Sequence, residues 1–351
     1  MNLHIHDSLR RCRALLPLLA CCLLASCDSA IYDDEGDCSS RFRVSFRYDM
    51  NMKYADAFPH EVEAVTLALL DPDGKVVWVG YDDGEPLTRE GYKMDVEVEP
   101  GRYSLLAWAG DMDQHSFDLG TDELLRDNVT ARLHRSYTRD HHAYSDVKLS
   151  RLYHGHVADV TIGSGSRADQ EVTVPLKKNT NYIKVVLQQV GGAPMDMDDY
   201  EIRITDDNGM MEWNNELRSE EVISYRPWHT TEISADISPD DDSADTGTTG
   251  GIYSGIMAEF TTARLTEGNR HSARLTVRDL NSGNTIFSVK IIDFLLMVKG
   301  EYNRHMTDQE YLDRQDAFDM VFFLDENRKW LNSTIFINSW KVVLQDADFN
   351  S

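Results

Sequence analysis

The chain has 351 residues, with 35 lysines and arginines against 60 aspartates and glutamates, for a formal charge of −25. So acidic a surface repels nucleic acid, whose binding rests on basic side chains neutralising phosphates, and no nucleic-acid partner is expected. Five cysteines, three of them Cys12, Cys21 and Cys22 near the start, exclude a disulfide framework by count.

The first feature in chain order reads as a secretory leader. Arg10, Arg11 and Arg13 precede an apolar stretch from Ala14 to Ala25, which small residues close just before Cys27. A basic segment, a short apolar one and a small-residue cleavage site make a signal peptide over residues 1–26. The run is shorter than the ~20 apolar residues a membrane-spanning helix needs. Leu24-Ala25-Ser26-Cys27 resembles the lipobox of bacterial lipoproteins, which implies lipid on Cys27 and a mature chain beginning there. An ordinary signal peptide that happens to contain cysteines is the alternative. The mature chain carries 32 basic and 59 acidic residues, a formal charge of −27. With Cys27 acylated, Cys38 has no partner.

Residues 27–40 include Asp28, Asp33, Asp34, Glu35 and Asp37 with no Lys or Arg, and read as an acidic, solvated tether. From Arg41 the texture changes. Phe42, Val44, Phe46 and Tyr48 alternate with polar residues, the period of a half-buried strand. Val62–Leu70 and Lys75–Val79 form a hairpin around Asp71-Pro72-Asp73-Gly74, whose proline and glycine suit a tight turn. A second hairpin is expected to join Met94–Val98 to Tyr103–Ala109 through Glu99-Pro100-Gly101-Arg102. Thr121–Leu133 is the helix candidate of the first half. Strands are expected at Glu171–Leu176 and Tyr182–Leu187, broken at Lys177-Lys178-Asn179-Thr180, and the domain boundary is placed there. Domains of 41–178 and 179–351 follow.

In the second half, Glu201–Thr205, Arg274–Val277, Phe318–Leu324 and Ser333–Val343 read as strands. Ser234 to Gly251 reads as a polar surface loop. Ile286–Val298 is the most apolar run after the leader, and periodicity does not decide between strand and helix there. Ser333–Val343 is expected to be one C-terminal strand with Trp340 buried, so that Trp340→Ala would cost ~3–5 kcal/mol. Many short strands with turn signals point to an all-β chain of two tandem antiparallel β-sandwiches.

Chemistry is sparse. His134, His141, His142, His154 and His156 are the candidate metal ligands, and His154-Gly155-His156 places two rings on one side of an extended chain, yet no Cys, Asp or Glu stands at a zinc-like spacing, so no metal is expected. Asp71-x-Asp73-Gly74 lacks the downstream glutamate of a calcium loop. Asp196-x-Asp198-Asp199 and Asp240-Asp241-Asp242 read as solvated charge. Gly163-Ser164-Gly165 lacks the rest of a phosphate loop, and Gly251-Ile252-Tyr253-Ser254-Gly255 is one residue away from a nucleophile elbow. No catalytic residue and no cofactor is expected.

Cys27 with Ile31-Tyr32-Asp33-Asp34 and Cys38, then Phe46-Arg47-Tyr48-Asp49, Pro100-Gly101-Arg102-Tyr103 and Ala107-Trp108-Ala109-Gly110, resemble the FimB-type fimbrillin-anchor lipoproteins of Bacteroidales. The fullest stretch runs from Asp308-Gln309-Glu310-Tyr311-Leu312-Asp313-Arg314-Gln315-Asp316 through Phe318-Asp319-Met320 to Trp330. It closes on Ile335-Phe336-Ile337-Asn338-Ser339-Trp340. The resemblance implies two transthyretin-like β-sandwiches and no enzymatic activity. It also implies an outer-membrane lipoprotein, held through lipid on Cys27, that binds fimbrial shaft subunits, anchors the fibre and limits its length. The alternatives are a fimbrial tip or shaft subunit of the same fold, or a carbohydrate-binding surface lipoprotein marked by an exposed aromatic platform.

Overall fold

The computed structural model describes residues 42–120, 125–163, 170–191, 194–237 and 251–343. Eleven strands come from the first half: β1 (Phe42–Arg47), β2 (Ala64–Leu70), β3 (Val76–Asp83), β4 (Lys93–Val96), β5 (Gly101–Gly110), β6 (Phe117–Leu119), β7 (Ala131–Leu133), β8 (Ser136–Tyr137), β9 (Ala143–Ser145), β10 (Leu152–Ile162) and β11 (Gln170–Lys178). Eleven more follow: β12 (Thr180–Gln189), β13 (Tyr200–Asp206), β14 (Met210–Met211), β15 (Ile223–Tyr225), β16 (His229–Ile237), β17 (Gly251–Ala263), β18 (Arg274–Asp279), β19 (Thr285–Lys290), β20 (Ala317–Leu324), β21 (Trp330–Ile337) and β22 (Trp340–Val343). The fold is all-β, with a few short helical turns between strands.

The first sheet has the order β3-β2-β5-β10-β11-β1-β4. One face carries Phe42, Val44, Phe46, Val65, Leu67, Leu69, Leu105, Ala107, Tyr153, Val174 and Leu176 into a core of their own. The sheet curls around that core until its edges meet, since Tyr92, just before β4, hydrogen-bonds Asp82 of β3. The other face, with Ala68, Leu70, Leu106 and Trp108, packs into a second and larger core. Burial on both faces explains why β2 and β5 read as apolar runs instead of alternating.

That larger core fills a sandwich of two six-stranded sheets, β16-β17-β12-β20-β21-β22 and β19-β18-β13-β15-β9-β8. Phe287 of β19 stacks on Phe322 of β20, centroids 4.7 Å apart, across the two layers. Two ladders are parallel, β12 with β20 and β15 with β9; the long connections between those strands provide the crossover that parallel pairing requires. A small fourth sheet, β14-β7-β6, and the β9–β15 ladder join strands of residues 117–145 to second-half strands. Asn179 is the single residue between β11 of the first sheet and β12 of the second.

Several expectations change. Glu99–Arg102 closes no hairpin: β4 pairs with β1, and β5 pairs with β2 and β10, so the turn sends the chain across the sheet. The described part of Thr121–Leu133 is a 3-10 turn, Arg126–Asn128, followed by β7, whose pairing with β6 wins over weak helical periodicity. The run Ile286–Val298 is strand to Lys290 and helix over Ile291–Leu296. Ser234–Ile237 extends β16, and residues 238–250 lie outside the described residues.

Ser333–Val343 is a hairpin, not one strand. Asn338 and Ser339 both have positive φ, 49° and 67°, the conformation of a two-residue turn between twisted strands. The chain reverses there and places Trp340 directly opposite Ile337. Ile335 and Ile337 are fully buried, as alternation requires, but Trp340 is 70% exposed. It lies on the outermost strand, where the core face runs out.

Candidate functional surfaces

Cys27 and Cys38, the residues on which a lipid attachment and a free thiol were expected, lie outside the described residues. The description begins at Phe42, whose ring is already buried, as are Val44, Phe46 and Tyr48. β1 is an interior strand between β11 and β4, so the described chain begins inside the first sheet.

The segment Asp308–Asp316 is a junction. Its helix, Asp308–Arg314, is capped by Thr307, whose Oγ1 accepts the Glu310 N–H at 3.0 Å. Asp313 takes a bidentate pair from Arg264 and a third contact from Lys177 Nζ at 2.9 Å. Arg314 donates to the carbonyls of Asp49 and Asn51 and lies 4.3 Å over the Tyr54 ring. Asp316 and Glu61 both receive Lys178 Nζ, at 2.5 and 3.2 Å. One short stretch thus ties β11, the residue that follows β17 and the loop after β1 together.

Beside this junction lies a groove of about 680 Å³. Its lining comes from three places: Met52 on the loop that Arg314 pins, Met297 to Asn303 with Tyr311 and Gln315 around the helix, and Asn338 with Trp340 on the terminal hairpin. Tyr311 is buried, and burial pushes its phenol up to about 12. Trp340 and Tyr302 stand exposed on the rim, Tyr302 at 90%. Lys299 pairs with Asp308 at 2.8 Å and Glu301 with Arg304 at 3.1 Å. The sequence hides this site because alternation along Ser333–Val343 points Trp340 into the core; the signal for it is the turn pair Asn338-Ser339.

The histidine pair has a structural role. His154 Nε2–H donates to the Trp213 carbonyl at 2.7 Å, with its ring edge-on to Trp108. His156 meets the Trp213 ring at 5.2 Å, and Arg126 covers that ring at 4.3 Å. Burial pushes His154 down to about 3 and lowers His156, so both are neutral near pH 7. His134, His141 and His142 stand elsewhere, His134 Nδ1 bonding the His115 carbonyl. Among the described residues no three His, Cys, Asp or Glu side chains converge as metal ligands. Asp196 caps a 3-10 turn, and Asp199 pairs with Arg328 at 2.6 Å. Ser254, in the glycine-flanked Gly251–Gly255 stretch, is buried in β17, where its Oγ accepts from the Met195 N–H. Asp71 ties its turn through Asp73 N and Lys75 N, as the hairpin reading requires.

Comparison with known proteins follows this architecture. Residues 34–346 match the family of fimbrillin-A associated anchor proteins Mfa1 and Mfa2. The chain belongs to that family. The minor fimbrium anchoring subunit Mfa2 of Porphyromonas gingivalis is 24% identical over 305 residues, 84% of each chain. Among solved structures, a Bacteroides thetaiotaomicron protein put forward as an adhesin is 31% identical, with a TM-score of 0.75, over 89% of this chain and all of its own. A second from that species, put forward as a polysaccharide-binding protein, is 28% identical with a TM-score of 0.71, over 88% of this chain and 99% of its own. The P. gingivalis fimbrial anchor protein Mfa2 shares the fold, at 18% identity and a TM-score of 0.62, over 87% and 99%. The family is one of structural anchor proteins, located with the fimbria at the cell surface. Among the described residues, no helix is long and apolar enough to cross a membrane.

Proposed function

We propose that this chain is an outer-membrane lipoprotein that anchors a fimbrial fibre to the cell surface and limits its length. The observation carrying the reading is the family match over residues 34–346, which begins seven positions after Cys27. Lipid on Cys27 would hold the protein, and the fifteen residues from Cys27 to Phe42 reach about 50 Å at full extension, which keeps the folded body near the bilayer. We take residues 1–26 as the leader, 27–40 as the tether, and 41–178 and 179–351 as the two sandwich domains, with the chain passing between sheets at Asn179.

Fibre contact would come through strand addition, in which main-chain hydrogen bonds give affinity. β22 and β16 are the edges of the second-half sheet, and β22 ends at Val343, where the described chain stops. The partner in this reading is a fimbrial shaft subunit, and the role is mechanical, not catalytic. Deleting the gene and imaging fibres on cells and in the medium tests it. Fibres that are released and lengthened support the anchor role, whereas fibres unchanged in attachment and length remove it.

A further inference from the structure

Trp340 and Tyr302 are 70% and 90% exposed on the rim of one groove. Its volume of about 680 Å³ falls within the ~300–1,000 Å³ of small-molecule sites. Met52, Met297 and Tyr311 supply an apolar floor. Around it stand polar groups with unused capacity. Asn338 Oδ1 is committed to the Asp319 N–H, and Gln315 Nε2 to the Ala317 carbonyl, which leaves one end of each amide uncommitted. The two lining charges, Lys299 and Glu301, are each paired within the protein.

We propose that this groove binds a neutral glycan, with a sugar ring stacked on Trp340. A pyranose presents an apolar C–H face and a girdle of hydroxyls, so it requires flat aromatic surface and free amides side by side. Aromatic rings that carry a polar handle suit such amphipathic ligands. A charged polymer would find no unpaired charge in the lining, and an anionic one would meet a chain of formal charge −25. An apolar peptide would use the floor and leave the amides unanswered. The proposal goes beyond anchoring and stands or falls apart from it.

The test is affinity electrophoresis of the full chain, in mild detergent, through native gels containing yeast mannan, amylopectin or xyloglucan. At least one polymer should retard the wild-type protein. Trp340→Ala and Tyr302→Ala should each weaken that retardation by about tenfold while keeping the wild-type Tm. Trp228→Ala, a half-buried tryptophan outside the groove, should leave retardation unchanged. Absence of retardation by all three polymers overturns the proposal, as does retardation that survives both rim substitutions. If those substitutions instead weaken binding of isolated fibre subunits, the groove is a protein-docking surface and the glycan proposal falls.

Discussion

Arg264 and Asp313 form a two-pronged ion pair in the interior, Nε to Oδ1 at 2.8 Å and Nη2 to Oδ2 at 3.0 Å. Both side chains are less than a tenth exposed. Lys177 and Gln309 complete the carboxylate's partners, and the third Arg264 donor reaches the Asn215 carbonyl at 2.8 Å. Asn215 in turn exchanges two amide hydrogen bonds with Asn179. The pair therefore stabilises the point where the chain leaves β11 for β12.

Removing one partner leaves a buried guanidinium without its counter-charge, which costs far more than the pair contributes when intact. Asp313→Ala should lower unfolding stability by roughly 3–5 kcal/mol. Lys177→Met should cost much less, because the Lys177 side chain is a third exposed and Arg264 still holds the carboxylate. Urea unfolding of both variants checks the ranking, and equal losses would mean that the bidentate geometry carries no special weight.

Two tryptophans should behave oppositely. Trp108 is fully enclosed in the larger core, and its truncation should cost ~3–5 kcal/mol. Trp340, at the sheet edge, should cost no more than ~0.5 kcal/mol, the range of surface changes. Thermal unfolding of Trp108→Ala and Trp340→Ala side by side decides this; a large loss for Trp340→Ala would place its ring back in a core.

These two residues also show what the sequence could disclose. Alternation in Phe42–Tyr48 and Phe318–Leu324 exposes the buried face of a strand, because side chains on a strand change sides at every residue. Asp71-Pro72-Asp73-Gly74 announces its turn because Gly74 supplies the positive φ, 79°, that such a turn needs. Ser339 adopts positive φ without glycine's signature, so the terminal hairpin reads as one strand and Trp340 as buried. Glu99–Arg102 announces a reversal of the chain, but turn chemistry does not say which strands pair afterwards. The groove assembles residues as distant as Met52 and Trp340, and no local pattern records that meeting.

Asp206 should make the protein more stable on mild acidification. Its Oδ1 accepts from Asn269 and from the Asp207 N–H, while Oδ2 is buried without a partner. Burial pushes its carboxyl up to about 7. The folded state therefore holds a proton that the unfolded chain has lost, and the resulting stability is complete below about pH 4 and disappears as pH rises through 7. His154 works in the opposite direction. Its depressed value gives stability present above about pH 6.5 and lost as pH falls toward 3. Asp206→Asn should flatten the loss between pH 5 and pH 8, raising stability at pH 8 by ~2–4 kcal/mol relative to wild type. Denaturant midpoints at several pH values read this out; an unaltered slope would show that Asp206 is ionised throughout.

Cys27→Ala should release the protein, and any fibre it holds, from the cell while leaving the fold unchanged. Each buried methylene of an acyl chain contributes ~0.8 kcal/mol of membrane affinity, and a single chain binds only marginally, so several are needed for lasting retention. The described body contains no apolar helix that could replace them. Cys27 lies fifteen positions before Phe42, the first described residue, and belongs in this reading to a tether outside both domains, so its loss should leave the unfolding midpoint within the ~0.5 kcal/mol of a surface change. Fractionation of cells and medium, with thermal unfolding of the secreted variant, measures both. A Cys27→Ala protein still found in the outer membrane would show that something other than this lipid holds it, and the anchor reading would lose its attachment point.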